Sequence, residues 1–165
     1  MIWVLWTEDD GKLEVDGEMY MERIEELEKY LEDEYYSFIE ITIGKHCAPE
    51  GIVIEKNGDA YNFCYSERGI KTVMKSFPRE KDLVEYAYKK LSSDKWNKAH
   101  LVAWVWSECE ILQAEQDLKK SNILFERNDV PNYSQGKTAY RIFVFGRDVV
   151  RLAEFKKRYY KKLVL

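Results

Sequence analysis

The sequence predicts an α+β fold: a small, mostly antiparallel sheet packed against several helices, in a single domain of 165 residues. Three observations carry that expectation. Between Gly51 and Leu91 the residue pattern reads strand, strand, strand, helix. A strongly acidic amphipathic helix is predicted ahead of it, and a basic amphipathic helix closes the chain. The length suffices to bury a core. An apolar content of 45% and an aromatic content of 15% belong to a packed chain, not a disordered one. No internal repeat, low-complexity tract or Pro/Gly-rich linker divides it.

Ile2 to Trp6 reads as a short strand that could pair with Lys12 to Val15 across the Asp9-Asp10-Gly11 turn. This apolar start lacks a basic leader and meets Thr7-Glu8-Asp9-Asp10 too soon for a secretory signal. A helix is predicted to begin after Asp16-Gly17, with Asp16 as cap and Glu18 in the first turn. Tyr20, Ile24, Leu27 and Leu31 recur at helical spacing and should face the core. Glu22, Glu25, Glu26, Glu28, Glu32 and Asp33 populate the rest of that helix. Tyr35 to Ile43 reads as a strand, because Phe38, Glu40 and Thr42 alternate with Ile39, Ile41 and Ile43. Gly44 to Gly51 is then a loop holding His46, Cys47 and Pro49.

Ile52, Val53 and Ile54 are branched apolar residues of a strand, and Asn57-Gly58 favours a tight turn with φ > 0 at both central residues. Tyr61, Phe63 and Tyr65 alternate with Ala60, Asn62 and Cys64 as in a strand with one buried face. Arg68-Gly69 allows a second turn, and Thr72 to Phe77 reads as a third strand. Pro78 stops that strand and suits the first turn of a helix lined by Leu83, Ala87 and Leu91. Ser92-Ser93-Asp94 is a break, and a further helix is predicted from about Trp96. Leu101 to Trp106 is a run of six apolar residues, for which periodicity does not separate buried strand from buried helix. The helical look of Lys98-Ala99 and of Glu108 to Lys120 favours helix. Asn128 to Gly136 is a loop by composition, Tyr140 to Phe145 a strand, and Gly146 a turn. Val149, Leu152, Ala153, Tyr160 and Leu163 stripe the basic C-terminal helix.

The net charge of −4 conceals an asymmetry. Glu8 to Glu40 carries fourteen acidic and three basic residues, whereas the chain from Ile41 onward carries sixteen and twenty-three. Packed against the basic C-terminal helix, the acidic helix would be neutralised internally. Left exposed, it would repel nucleic acid and attract a basic protein surface. At the other end Phe155, Tyr159 and Tyr160 interleave with Lys156, Lys157 and Arg158, a pattern able to bind single-stranded nucleic acid by charge and stacking. The overall pI of about 5.4 weighs against that use.

Cys47, Cys64 and Cys109 are odd in number and widely spaced, which fits free thiols in a reducing cytosol. His46 and Cys47 are adjacent, so on an extended chain their side chains point apart and read first as a loop histidine and an incidental thiol. No spaced His/Cys cluster for a metal, no cofactor-binding glycine motif and no run of 18 apolar residues is present in the sequence.

Tyr65-Ser66-Glu67-Arg68-Gly69 ends a strand. An extended segment follows it, and then the acidic-apolar helix Asp82-Leu83-Val84-Glu85-Tyr86. This arrangement resembles one group of bacterial immunity proteins, the small cytosolic antidotes encoded beside polymorphic or contact-dependent growth-inhibition toxins. The resemblance covers about a quarter of the chain, with a weaker echo in Arg141, Phe145 and the helix after Arg147. It implies a cytoplasmic protein with no catalysis and no cofactor of its own. Its partner would be a cognate toxin C-terminal domain, blocked at its active site or substrate path. A nuclease toxin must hold phosphates and so has a basic cleft. Glu22, Glu25, Glu26, Glu32 and Asp33 are the partner-facing charges expected to fill such a cleft. Glu67 and Arg68 bear the resemblance, and their role is read as structural, a turn whose charges hold neighbouring elements together. The competing class is a small enzyme or nucleic-acid-binding protein working through Lys156, Lys157 and Arg158. Trp3, Trp6, Trp104 and Trp106 could form a homodimer contact as readily as a core.

Overall fold

The computed structural model describes residues 13–15 and 18–162, with side chains from residue 20 onward. The expectations for Ile2 to Trp6, the Asp9-Asp10-Gly11 turn, Asp16-Gly17 and Leu163 lie outside the described residues. The fold is α+β with sheets rich in antiparallel pairs. It divides into two compact units, residues 1–31 with 38–93 and residues 32–37 with 94–165. No helix among the described residues is long and apolar enough to cross a membrane.

The first unit opens with a short hairpin of β1 (Leu13–Val15) and β2 (Glu18–Tyr20). The helix expected from Glu18 therefore starts later, as α1 (Ile24–Asp33). Tyr20 is an exposed strand residue rather than part of the helical stripe, while Leu27 and Leu31 are fully buried as expected. Contacts remote in sequence set that start: the backbone N–H of Ile24 donates to the Glu80 carboxylate at 2.7 Å. The strand expected over Tyr35 to Ile43 reduces to β3 (Ile41–Thr42), because Tyr35 turns into positive φ and only this dipeptide finds a ladder. β3 runs parallel to β4 (Gly51–Asn57).

β4, β5 (Ala60–Glu67) and β6 (Ile70–Phe77) form the antiparallel meander read from the sequence, giving a sheet ordered β3-β4-β5-β6. The first hairpin turns one residue later than expected. Asn57 pairs with Ala60, so Gly58-Asp59 occupy the corner and only Gly58 has positive φ. The second turn places both Arg68 and Gly69 at positive φ, the geometry of a type I′ turn. Pro78 ends β6 and precedes Arg79, the N-cap of α2 (Glu80–Ser92). Leu83, Val84, Ala87 and Leu91 of α2 are completely buried. Tyr86 meets Phe63 and Phe77 of the sheet edge-on and tilted, at 5.2 and 5.4 Å. These rings mark the face of β5 and β6 that α2 covers.

In the second unit Asp94 caps a single 3-10 turn (Lys95–Lys98), its side chain accepting the Trp96 N–H at 2.9 Å. That turn replaces the helix expected from Trp96. Leu101 to Trp106 is not helical either: Ala99–Val105 forms β7. β7 pairs antiparallel along its length with β10 (Lys137–Phe145), and this pairing decides what an apolar run without periodicity left open. α3 (Glu108–Lys120) follows Ser107 and ends in a Schellman motif. There the Ile123 N–H reaches the Leu118 carbonyl, the Asn122 N–H reaches that of Lys119, and Asn122 takes positive φ. β8 (Phe125–Arg127) and β9 (Val130–Ser134) both pair with β10. The expected loop Asn128 to Gly136 thus contains a strand, turned back at Gln135-Gly136 where both residues have positive φ. A 3-10 segment (Gly146–Leu152) leads into α4 (Ala153–Tyr159).

The core of this unit joins Val102, Val105, Ile111, Leu118, Ile142, Leu152 and Tyr159. The expected core tyrosine was Tyr160. The chain leaves the helix there to bridge Trp104 of β7, so Tyr159 is buried and Tyr160 exposed. The Tyr159 hydroxyl donates to Asp117 on α3 at 2.6 Å. This bond, followed by those from Gln113 and Arg158, holds the Asp117 carboxyl below its usual range. Burial, then Asp117 itself, pushes the Tyr159 hydroxyl from 10.0 up to about 12. Asp117 therefore stabilises the fold above its ordinary pKa and loses that contribution as pH falls through the depressed value. Tyr159 stabilises it below 10.0 and loses that contribution as pH rises toward about 12. Tyr159→Phe is expected to cost about 1–2 kcal/mol near neutral pH by urea denaturation. The difference from the parent chain should shrink below pH about 4 and above pH about 10.

Candidate functional site

The acidic residues expected to face a partner divide by what they touch. Glu26 is the third residue of α1, and its carboxylate accepts the backbone N–H groups of Glu22 and Arg23 at 2.8 and 3.1 Å. Those bonds hold its pKa below the usual carboxylate range. They are the returning half of a capping box, so this charge is engaged at the helix N-terminus, where it also complements the helix dipole. Glu22 precedes the helix, accepts the Tyr20 hydroxyl and the Lys81 ammonium, and is likewise lowered, chiefly by Tyr20. Glu25 and Asp33 are exposed and Glu32 is half-buried on the helix itself. Glu26→Ala is expected to cost about 1 kcal/mol in thermal or urea unfolding, as loss of a cap does. Glu25→Ala should leave the unfolding curve unchanged within about 0.5 kcal/mol.

Glu67 and Arg68 form the tip of the β5–β6 hairpin. Their side chains are 58% and 86% exposed and approach only to 4.0 Å, a separation that contributes little in water. The pair does not tie neighbouring elements together. The backbone of Arg68 does: its N–H donates to Glu50 at 3.0 Å. Arg68 takes φ 52° because the two-residue turn requires it, an unfavourable conformation for a non-glycine residue, and its side chain stands out in solvent.

From this tip runs the feature that sequence reasoning missed. Among the described residues β6 is an edge strand, and all of its residues but Phe77 are exposed. Ile70, Val73 and Met74 remain 72%, 52% and 62% accessible. Met74 is the extra residue of a bulge, since Phe63 pairs with Lys75 and Cys64 with Val73. The bulge lets two adjacent apolar side chains stand out from one edge. Val73-Met74 bracketed by Lys71 and Lys75 was the available signal, because edge strands carry lysines against indiscriminate pairing. An antiparallel self-pair centred on Val73 would set Lys71 opposite Lys75, so the edge disfavours a second copy of itself.

The remaining candidates have local explanations. The His46 ring stacks on Phe38 at 3.6 Å, and its Nε2 lies 3.9 Å from Glu28, whose carboxylate also accepts the Lys45 N–H. Cys64 is buried, and burial pushes its thiol pKa up, which keeps it protonated and unreactive. Cys47 and Cys109 are exposed free thiols. On the basic end, Lys157 pairs with Glu154, Arg158 with Asp117 and Lys161 with Glu110. Comparison with protein-family models, curated proteins and solved structures finds no match.

Proposed function

We propose that this chain is a cytoplasmic, non-catalytic immunity protein that binds a cognate toxin domain and occludes its active site or substrate path. The observation that carries this reading is the open edge of β6, with Ile70, Val73 and Met74 exposed beside the strained, outward Arg68. An edge strand offers main-chain groups for strand addition and side chains for selectivity, a recurring mode of protein recognition. The edge also belongs to the stretch that resembles the immunity proteins. Exposed carboxylates on α1, Glu25 foremost, would attract the basic cleft of a nuclease toxin and speed association.

Growth rescue tests the proposal. The toxin C-terminal domain encoded immediately upstream is expressed in a sensitive host with and without this chain. Survival with the chain, together with co-purification of the two proteins, is the expected result. A harmless upstream product, or killing that the chain neither prevents nor binds against, overturns the proposal.

A further inference from the structure

We propose that the second unit binds single-stranded nucleic acid on the face of its sheet opposite α3. Ile142 and Val144 of β10 point into the core, so the alternation of the strand turns Arg141, Phe143 and Phe145 to the other face. Trp104 pairs with Arg141 in register and shares that face. Trp96 stands edge-on to Phe143 and Phe145 at 5.4 and 5.5 Å, and Tyr133 edge-on to Trp104 at 5.0 Å. The rings thus form one strip. Trp104 lies at its floor, 3% exposed, with Tyr133 (48%) and Trp96 (39%) standing open on either side of Arg141.

Lys95, over the Phe145 ring, is paired with Glu126, the register partner of Phe143, whereas two further cations on this strip have no carboxylate partner among the described residues. The Arg141 guanidinium lies 5.5 Å from the Trp104 ring centre and 5.6 Å from that of Phe143. It donates to the Asn128 backbone carbonyl and Oδ1, and to no carboxylate among the described residues. Lys162 lies 5.2 Å from the Trp104 ring centre, also without a carboxylate among the described residues. Arg127 on β8 is the contrast, neutralised by Glu115 and Asp129 on the covered side of the same sheet. A second, independent observation is the Trp104 indole N–H, buried with no acceptor among the described residues. Two cations beside the Trp104 ring ask for an anionic ligand, and the open rings next to them ask for flat partners. Phosphates with unstacked bases meet both demands, whereas a duplex keeps its bases out of reach. Between Asp94 and Leu165 the fourteen Lys and Arg against nine Asp and Glu add a supporting field.

The test titrates fluorescein-labelled eight-nucleotide RNA and DNA strands, and the corresponding duplexes, with the full chain at low and high salt, read by anisotropy. Single strands should bind with salt-dependent affinity and duplexes at least about tenfold more weakly. The RNA and DNA arms identify which strand is preferred. Tyr133→Ala and Trp96→Ala should each weaken binding by about fivefold or more, and Arg141→Gln should lower the salt slope by about one. Lys156→Gln with Lys157→Gln on α4 should change it less than either ring variant. Circular dichroism of each variant separates lost binding from lost fold, and Tyr133→Phe should retain binding. Absence of single-strand binding at low salt overturns the proposal. So does binding that ignores Tyr133, Trp96 and Arg141 but falls with Lys156 and Lys157.

Discussion

Gly51→Ala is expected to destabilise the first unit by about 3 kcal/mol or more. Gly51 has φ +114°, a region that side-chain-bearing residues rarely enter. A Cβ at this position would lie 2.2 Å from the Glu40 carbonyl oxygen and 2.9 Å from the Glu40 Cα. These are backbone atoms, and the same carbonyl accepts the Ile52 N–H at 2.8 Å. Room can be made only by moving the chain that leads into β3, which breaks the parallel β3–β4 pairing. Gly58 supplies the control. It also has positive φ, but a Cβ there meets nothing within 4 Å, so Gly58→Ala should cost only about 1–2 kcal/mol. Urea denaturation followed by circular dichroism measures both. Equal costs at the two glycines would mean that the close approach of Glu40 does not constrain the fold.

If the proposed immunity function holds, blocking the β6 edge should abolish tight partner binding while leaving the chain folded. Glu67 and Ile70 flank a two-residue turn and exchange both backbone bonds, so the pairing alternates from there. By that alternation the N–H groups of Lys71 and Val73 turn away from β5. Proline at 73 therefore removes an outward donor and no bond to β5, and its ring stands where an added strand would lie. Val73→Pro is expected to lower affinity for the toxin domain by about thirtyfold or more, the effect of losing a central hot spot. Ile70→Lys combined with Met74→Lys removes the apolar contact without touching the backbone and should weaken binding to a similar extent. As exposed substitutions, these two should each shift stability by no more than about 0.5 kcal/mol. Tight binding that survives both changes would move the contact away from β6.

The parts of the fold legible in the sequence are those that local chemistry decides. The β4–β5–β6–α2 order follows from period-2 alternation, two glycine-bearing turns and Pro78. α3 follows from its periodic apolar stripe. The parts that were not legible depend on partners far along the chain. β7 is a strand because β10 pairs with it, and the run Leu101 to Trp106 contains no period that could say so. α1 begins at Ile24 because β2 has already paired with β1 and because Glu80, remote in sequence, accepts its first N–H. The surface was harder still to read. The acidic excess around α1 is plain in the sequence, but not that Glu26 and Glu22 are engaged within the chain. The exposure of Ile70, Val73 and Met74 follows from sheet order, since the same residues in a central strand would be buried.

Calorimetric titration of the purified chain with the purified, inactivated upstream toxin domain tests the central claim most directly. A one-to-one complex of nanomolar affinity, lost with Val73→Pro and weakened by Glu25→Lys, is the result the immunity reading predicts. No heat of binding at micromolar concentrations of both proteins would contradict it.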